Sequence, residues 1–236
     1  EFECTNSEFQ SLEMRGLTHS YFREDEEKTF ALENINFRAE KGELIYIVGG
    51  NGSGKTTLAK LILGLYSPEK GQIVWNGEIV KDESRERYRE NFGAIFSDFY
   101  LFRDLPCEIP AEKAALLLEK LQLSHKVKVA ENRFSTLKLS QGQRKRLALL
   151  AAFAQDKPVY LFDEWAADQD PLFKEVFYLE ILPALKFSGK TVIVITHDEK
   201  YFHLADRLVK IENGRIIADV RQIHQGKSAT QTVKPQ

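Results

Sequence analysis

Cysteine is scarce in this chain of 236 residues: Cys4 and Cys107 stand far apart with neither CxxC nor Cys/His spacing, which rules out a disulfide framework or a structural zinc site and fits a reducing compartment. An excess of either charge is also lacking. The 33 Lys and Arg against 35 Asp and Glu leave a formal net charge of -2, so there is no overall basic field of the kind that attracts nucleic acid, and no nucleic-acid partner is expected. Long apolar runs are missing too. The most apolar stretches, such as Leu147–Ala154 and Val192–Ile195, fall well short of the roughly 20 residues that cross a bilayer as a helix. No basic flank followed by an apolar run marks a signal peptide, and no segment repeats. What is present is globular in kind: 43% hydrophobic and 29% charged residues, enough for one large domain with a subdomain.

Along the chain, residues 1–11 read as a flexible N-terminal linker or cloning remnant, and the stretches around Leu12 and Ala31–Phe37 read as strands flanking the charged run Arg23–Lys28. Glu43–Val48 is an apolar run ending in glycines, followed by helical periodicity over Thr56–Leu65, a strand–loop–helix unit. Asn76-Gly77 and Asn213-Gly214 mark hairpins, because both residue types accept the positive φ of a two-residue turn. Between Ser84 and Lys138 the pattern becomes mainly helical, with Pro110 opening an amphipathic segment, and a helical subdomain is expected over roughly 98–155. Val159–Phe162 and Thr191–Ile195 have the near-continuous apolar character of strands buried on both faces of a parallel sheet, with a helix near Leu172–Phe187 between them that Pro183 should kink or break. The polar tail 226–236 is expected to be disordered.

Three constellations carry chemistry. Gly49-Gly50-Asn51-Gly52-Ser53-Gly54-Lys55-Thr56 matches GxxxxGK[ST] between a strand and a helix, the context in which backbone N–H groups and a helix N-terminus cradle phosphates. Lys55 would neutralise the β- and γ-phosphates, Thr56 would place its hydroxyl on Mg²⁺, and Thr57 would donate toward the α-phosphate region. Asp163 and Glu164 close an apolar strand, at the edge where open parallel sheets bind ligands. That predicts Asp163 on the metal through its water shell and Glu164 orienting the attacking water, while His197, closing the next strand, can reach the γ-phosphate. Ser140, Gln141, Gly142 and Gln143 form an S-x-x-Q capping box at the start of an apolar helix, a second helix N-terminus suited to an anion. One chain needs one such cradle for its own phosphates; the second is explained if it grips a phosphate bound to another copy.

Leu139-Ser140-Gln141-Gly142-Gln143, together with the phosphate loop and Asp163-Glu164, resembles the signature of ABC ATPases, and the likeness runs from Leu12 to Val220. It implies an α/β phosphate-loop NTPase core over 12–225, with an antiparallel β subdomain and a helical signature subdomain. It further implies Mg²⁺-dependent ATP hydrolysis in a head-to-tail dimer that sandwiches ATP, at the cytoplasmic face of the inner membrane. Tyr21 falls where such domains stack an aromatic on adenine, and Asp170 in Ala167-Asp168-Gln169-Asp170 where their D-loop touches the opposite site. The segment Asp163–Pro171 looks like that of cyclic-peptide and siderophore-peptide exporters, which implies a transmembrane domain fused N-terminally. Alternatives are a soluble, non-transport ABC ATPase and a non-hydrolysing ATP-binding scaffold.

Several positions depart from the family pattern. Ser97 replaces the glutamine expected after the strand near Ile95 and is the candidate for its place at Mg²⁺, with Asp98 or water to fill the gap that its shorter hydroxyl leaves. Trp165 stands where many relatives have proline, and Asp168 and Gln169 where small and apolar residues are usual. Arg144-Lys145-Arg146 reads as a charged helix surface or subunit interface. Phe99–Phe102 reads equally as a surface for a membrane-domain helix or as satellite core.

Overall fold

The computed structural model describes residues 8–23 and 28–222, the side chains of 21–23 and 28–30 excepted. In chain order the elements are β1 (Ser11–Arg23), β2 (Lys28–Glu40), β3 (Leu44–Val48), α1 (Lys55–Ile62), β4 (Lys70–Trp75), β5 (Glu78–Ile79), α2 (Arg85–Arg89), β6 (Phe92–Ile95), α3 (Ala111–Lys120), β7 (Val129–Ala130) and β8 (Arg133–Phe134). Beyond these lie α4 (Gln141–Ala154), β9 (Val159–Asp163), α5 (Pro171–Val176), a π turn (Phe177–Ile181), α6 (Leu182–Phe187), β10 (Thr191–Ile195), β11 (Arg207–Glu212) and β12 (Arg215–Arg221).

Two sheets organise these elements. The first is antiparallel, in the order β2-β1-β4-β5; the second has six strands in the order β12-β11-β3-β10-β9-β6, parallel except for β12. Every residue of β3, β9 and β10 is buried, as strands covered on both faces must be. Because side chains alternate across a strand, β3 sends Ile45 and Ile47 into a core shared with the antiparallel sheet and α1. Its Leu44, Tyr46 and Val48 enter the other core, with α4 and the helices after β9. The carboxyl ends of β3, β9 and β10 consequently come side by side, and the loops leaving them are the ones that carry the motifs.

Local chemistry explains most boundaries. Asn76 and Gly77 have φ of 50° and 87°, and Asn213 and Gly214 of 46° and 74°, as type I′ hairpin turns demand. Pro110 is the N-cap of α3. Regular α-helix is interrupted before Pro183 by a π turn, since proline has no N–H to give and its ring crowds the carbonyl four residues earlier.

Two expectations are corrected by the structure. Residues 84–138 are not mainly helical: beyond α2 and α3 they hold β6, the hairpin β7–β8 and irregular chain, because a four-residue strand such as Phe92–Ile95 carries too little periodicity to declare itself. The linker expected over 1–11 ends sooner, since Phe9 is buried against Trp75 at 4.5 Å between ring centroids and Ser11 opens β1. The charged loop 24–27 and the tail 226–236 lie outside the described residues.

Candidate functional site

The phosphate loop leaves β3 and enters α1 through a backbone only glycine tolerates. A Cβ on Gly49 would lie 2.2 Å from the Ile211 carbonyl and 2.8 Å from Ser53 Oγ, and Gly54, the N-cap of α1, sits at φ 107° in the left-handed region. No side chain caps α1, and an uncapped helix N-terminus suits an anion. Gly50, Asn51 and Gly52 form the exposed rim, while Ser53 is buried with its Oγ lacking a partner. Lys55 Nζ donates to the Gly49 and Gly50 carbonyls at 3.1 and 3.0 Å and lies 3.8 Å from Glu164 Oε1. Burial lowers the Lys55 pKa, opposed by the charges of Glu164 and Asp163.

At the end of β9, Thr56 Oγ1 donates to Asp163 Oδ2 at 2.9 Å. The other carboxylate oxygen of Asp163, Oδ1, is buried without a partner. Burial raises the Asp163 pKa; Thr56 and Lys55 lower it, whereas the charges of Glu164 and Asp98 raise it further. An orphaned buried carboxylate oxygen beside a threonine hydroxyl suits a hard cation that takes its remaining ligands from phosphates and water. Among the described residues no group of three or more His, Cys, Asp or Glu forms a metal cage.

Glu164 sits next in the chain in the left-handed region at φ 50°, a strained conformation for a residue with a Cβ, costing about 1–3 kcal/mol. Its N–H bonds the Ile195 carbonyl at 3.0 Å, which ties it to β10, and its Oε1 lies 3.1 Å from His197 Nε2. Lys55, Thr56, Asp163, Glu164 and His197 are thereby brought to one sheet edge from three elements. Thr57 is buried one residue on, and Ser97 is exposed two residues past β6. Tyr21 lies on β1 opposite Phe30; its side chain is outside those described.

The signature end is built differently. Ser140 caps α4, its Oγ accepting from the Gln143 N–H at 3.4 Å, while Gln143 Oε1 accepts from the Ser140 N–H at 3.3 Å, the reciprocal box that the spacing implied. Around it the loop after β9 closes by side chains. Gln169 donates to the Gly142 carbonyl at 3.1 Å and accepts from Arg146 Nε at 3.0 Å. Lys145, only 1% exposed, pairs with Asp168 at 2.7 Å, and Gln141 reaches Asp168 at 3.4 Å. Asp170 caps α5 through the Phe173 N–H at 3.0 Å and also pairs with Arg146, so its pKa falls, first through the Phe173 bond and then through Arg146. Trp165, fully buried, donates to the Lys145 carbonyl at 3.1 Å and stacks on Phe177 at 4.5 Å.

Lys145 and Arg146 are therefore interior groups paired with carboxylates, which corrects their reading as a charged surface. The unusual Asp168 and Gln169 were the available signal: two polar residues in normally small or apolar positions need two polar partners. Phe99, Tyr100 and Phe102, with Ala148, Ala151 and Ala152 of α4, line a groove of ≈ 510 Å³. Tyr100 and Phe102 are exposed, whereas Leu101 is buried, so this stretch is both surface and core.

The family model described as ABC transporter matches residues 32–167, and the chain belongs to the ABC transporter family, of which it comprises the ATPase domain. It is 48% identical over 225 residues to the ATP-binding protein SyrD of Pseudomonas syringae pv. syringae, a match covering 93% of this chain and 40% of that protein. Identity is 36% over 228 residues to a probable syringafactin export ATP-binding/permease protein, SyfD, of Pseudomonas syringae pv. syringae (strain B728a), covering 88% and 34%. The chain thus spans well under half the length of these relatives. In fold it resembles a dimeric ATP-binding cassette in a post-hydrolysis state with ADP and Pi (TM-score 0.74, 24% identity, 90% of this chain and 99% of that one). It also resembles a bacterial Atm1-family ABC exporter with ATP bound (TM-score 0.76, 22% identity, 90% and 39%).

Proposed function

We propose that this domain binds ATP between two copies of itself and hydrolyses it to drive export through a transmembrane domain at the cytoplasmic face of the inner membrane. The observation that carries the reading is the convergence of Lys55, Thr56, Asp163, Glu164 and His197 at the carboxyl ends of β3, β9 and β10. Backbone N–H groups of Gly50–Lys55 and the N-terminus of α1 hold the β- and γ-phosphates, with Lys55 adding charge and Thr57 bonding nearer the α-phosphate. Tyr21 stacks on adenine. Mg²⁺, when bound, neutralises charge developing on the phosphate oxygens, and Thr56 and Asp163 are the residues to hold it, with Ser97 or Asp98 touching its water shell. Glu164 accepts a proton from and orients the attacking water, while His197, 3.1 Å from Glu164, contacts the γ-phosphate.

The second copy supplies Ser140, Gln141, Gly142 and Gln143, whose capped helix end faces the γ-phosphate, and Asp170 at the junction. A small or cyclic peptide, or a peptide siderophore, is the proposed cargo, supported by the likeness to SyrD and to the exporter SyfD. The comparisons do not support the N-terminal position expected for the membrane domain. Mg²⁺-dependent phosphate release tests the reading: turnover in the wild type and its loss by about 10²–10³-fold in Lys55→Ala is the expected result. Equal turnover in both would overturn it.

A further inference from the structure

Pro183 forbids a regular helix across its preceding turn, and the chain answers with the π turn Phe177–Ile181. One extra residue in a turn rotates the helix on its N-terminal side by about 100° relative to the helix on its C-terminal side. Tyr178, in that turn, is fully buried, and its hydroxyl lies 2.6 Å from Thr196 Oγ1 and 3.0 Å from Asp198 Oδ2. The Asp198 N–H in turn bonds Thr196 Oγ1 at 3.0 Å. Since the one phenolic hydrogen goes to the carboxylate, the threonine hydroxyl donates to Tyr178, and the three bonds close a ring. Lys174, one helical turn before Tyr178, fixes the remaining oxygen of Asp198 at 2.9 Å, and the Thr196 N–H reaches the Ile47 carbonyl of β3 at 3.3 Å.

The residue enclosed by this ring is His197: its two chain neighbours are two of the three members. Packing alone does not call for the hydroxyl, because the stack of Tyr178 on Tyr201, 4.1 Å between centroids and 14° between planes, would be made equally by phenylalanine. A buried hydroxyl is costly unless it is used. We propose that Tyr178 is a positioning residue for His197: held by the π turn, it clamps the backbone on both sides of the histidine so that the imidazole faces Glu164. This rests on the reading of His197 as a group that acts at the γ-phosphate.

Tyr178→Phe keeps the ring stack and deletes the clamp. In the 236-residue chain, Tyr178→Phe is expected to lower kcat for ATP about 10-fold with KM within about 2-fold, and to cost under about 2-fold when His197→Ala is already present. The imidazole ¹H–¹⁵N signals of His197 are expected to broaden or double in Tyr178→Phe, and in Thr196→Ala, which opens the same ring should Tyr178→Phe fail to fold. Wild-type kcat with unchanged imidazole signals would overturn the proposal, as would an equal fold-loss with and without His197. If His197→Ala itself turns over at the wild-type rate, the role of His197 falls first and the positioning role with it.

Discussion

The phosphate loop and the signature junction both end in a helix N-terminus, yet they are made from opposite materials. Gly49–Thr56 is backbone and glycine, with an uncapped helix, a buried Ser53 Oγ without a partner, and a lysine that desolvation already disfavours. The junction of Ser140–Arg146 with Trp165–Asp170 has its side chains spent on one another: a capping box, two ion pairs, a bridging amide and an indole N–H. A loop that must grip a ligand keeps its polar groups underused, at some cost to its own stability. On the proposed reading, a surface that meets another subunit is instead held rigid before the partner arrives.

Substitutions should separate the two. Lys55→Ala is expected to have the largest effect on turnover and little on stability, because it removes a buried charge whose work lies with the nucleotide; a melting temperature many degrees below wild type would blur the contrast. At the junction the order reverses. Trp165→Ala should lower unfolding free energy by about 3–5 kcal/mol in urea titration, through the lost stack on Phe177 and the bond to the Lys145 carbonyl. Asp168→Ala is expected to cost about 2 kcal/mol, less than a fully buried pair because Asp168 is half exposed, and Lys145→Met in the same chain should return most of it. Ser140→Ala should cost about 1 kcal/mol as a lost cap.

The smallest effect is one of pH. The folded-state pKa of Asp170 is depressed by the Phe173 N–H and by Arg146, so its stabilising share is present above the ordinary carboxylate range and fades as pH falls through the lowered value. Asp170→Asn should flatten the acid side of a plot of stability against pH. An unchanged slope would show that the cap and ion pair carry no linkage.

The same difference explains how legible each region was. A loop made of backbone writes itself into contiguous sequence, since glycine spacing, the lysine and the flanking strand and helix leave few alternatives; the capping box was equally readable because its partners are three residues apart. The junction was not. Lys145 and Asp168, or Arg146 and Asp170, are separated by more than twenty residues, and a run such as Arg144-Lys145-Arg146 looks like solvated surface until the opposing carboxylates are placed. The hairpins at Asn76-Gly77 and Asn213-Gly214 announced themselves through their required φ, whereas β6 was too short to show a period. The π turn left one trace, Pro183, and that trace marked a kink or break in the helix without revealing the π turn that holds Tyr178.

Glu164→Gln tests the central claim most directly, by phosphate release together with light scattering in Mg²⁺ and ATP. The geometry around Glu164 predicts that the variant binds ATP, forms a stable dimer and stalls, while the wild type passes through the dimer and releases phosphate. A Glu164→Gln chain that hydrolyses ATP at the wild-type rate would contradict the role of Glu164. A chain that binds ATP yet stays monomeric at every protein concentration would contradict the two-copy sandwich.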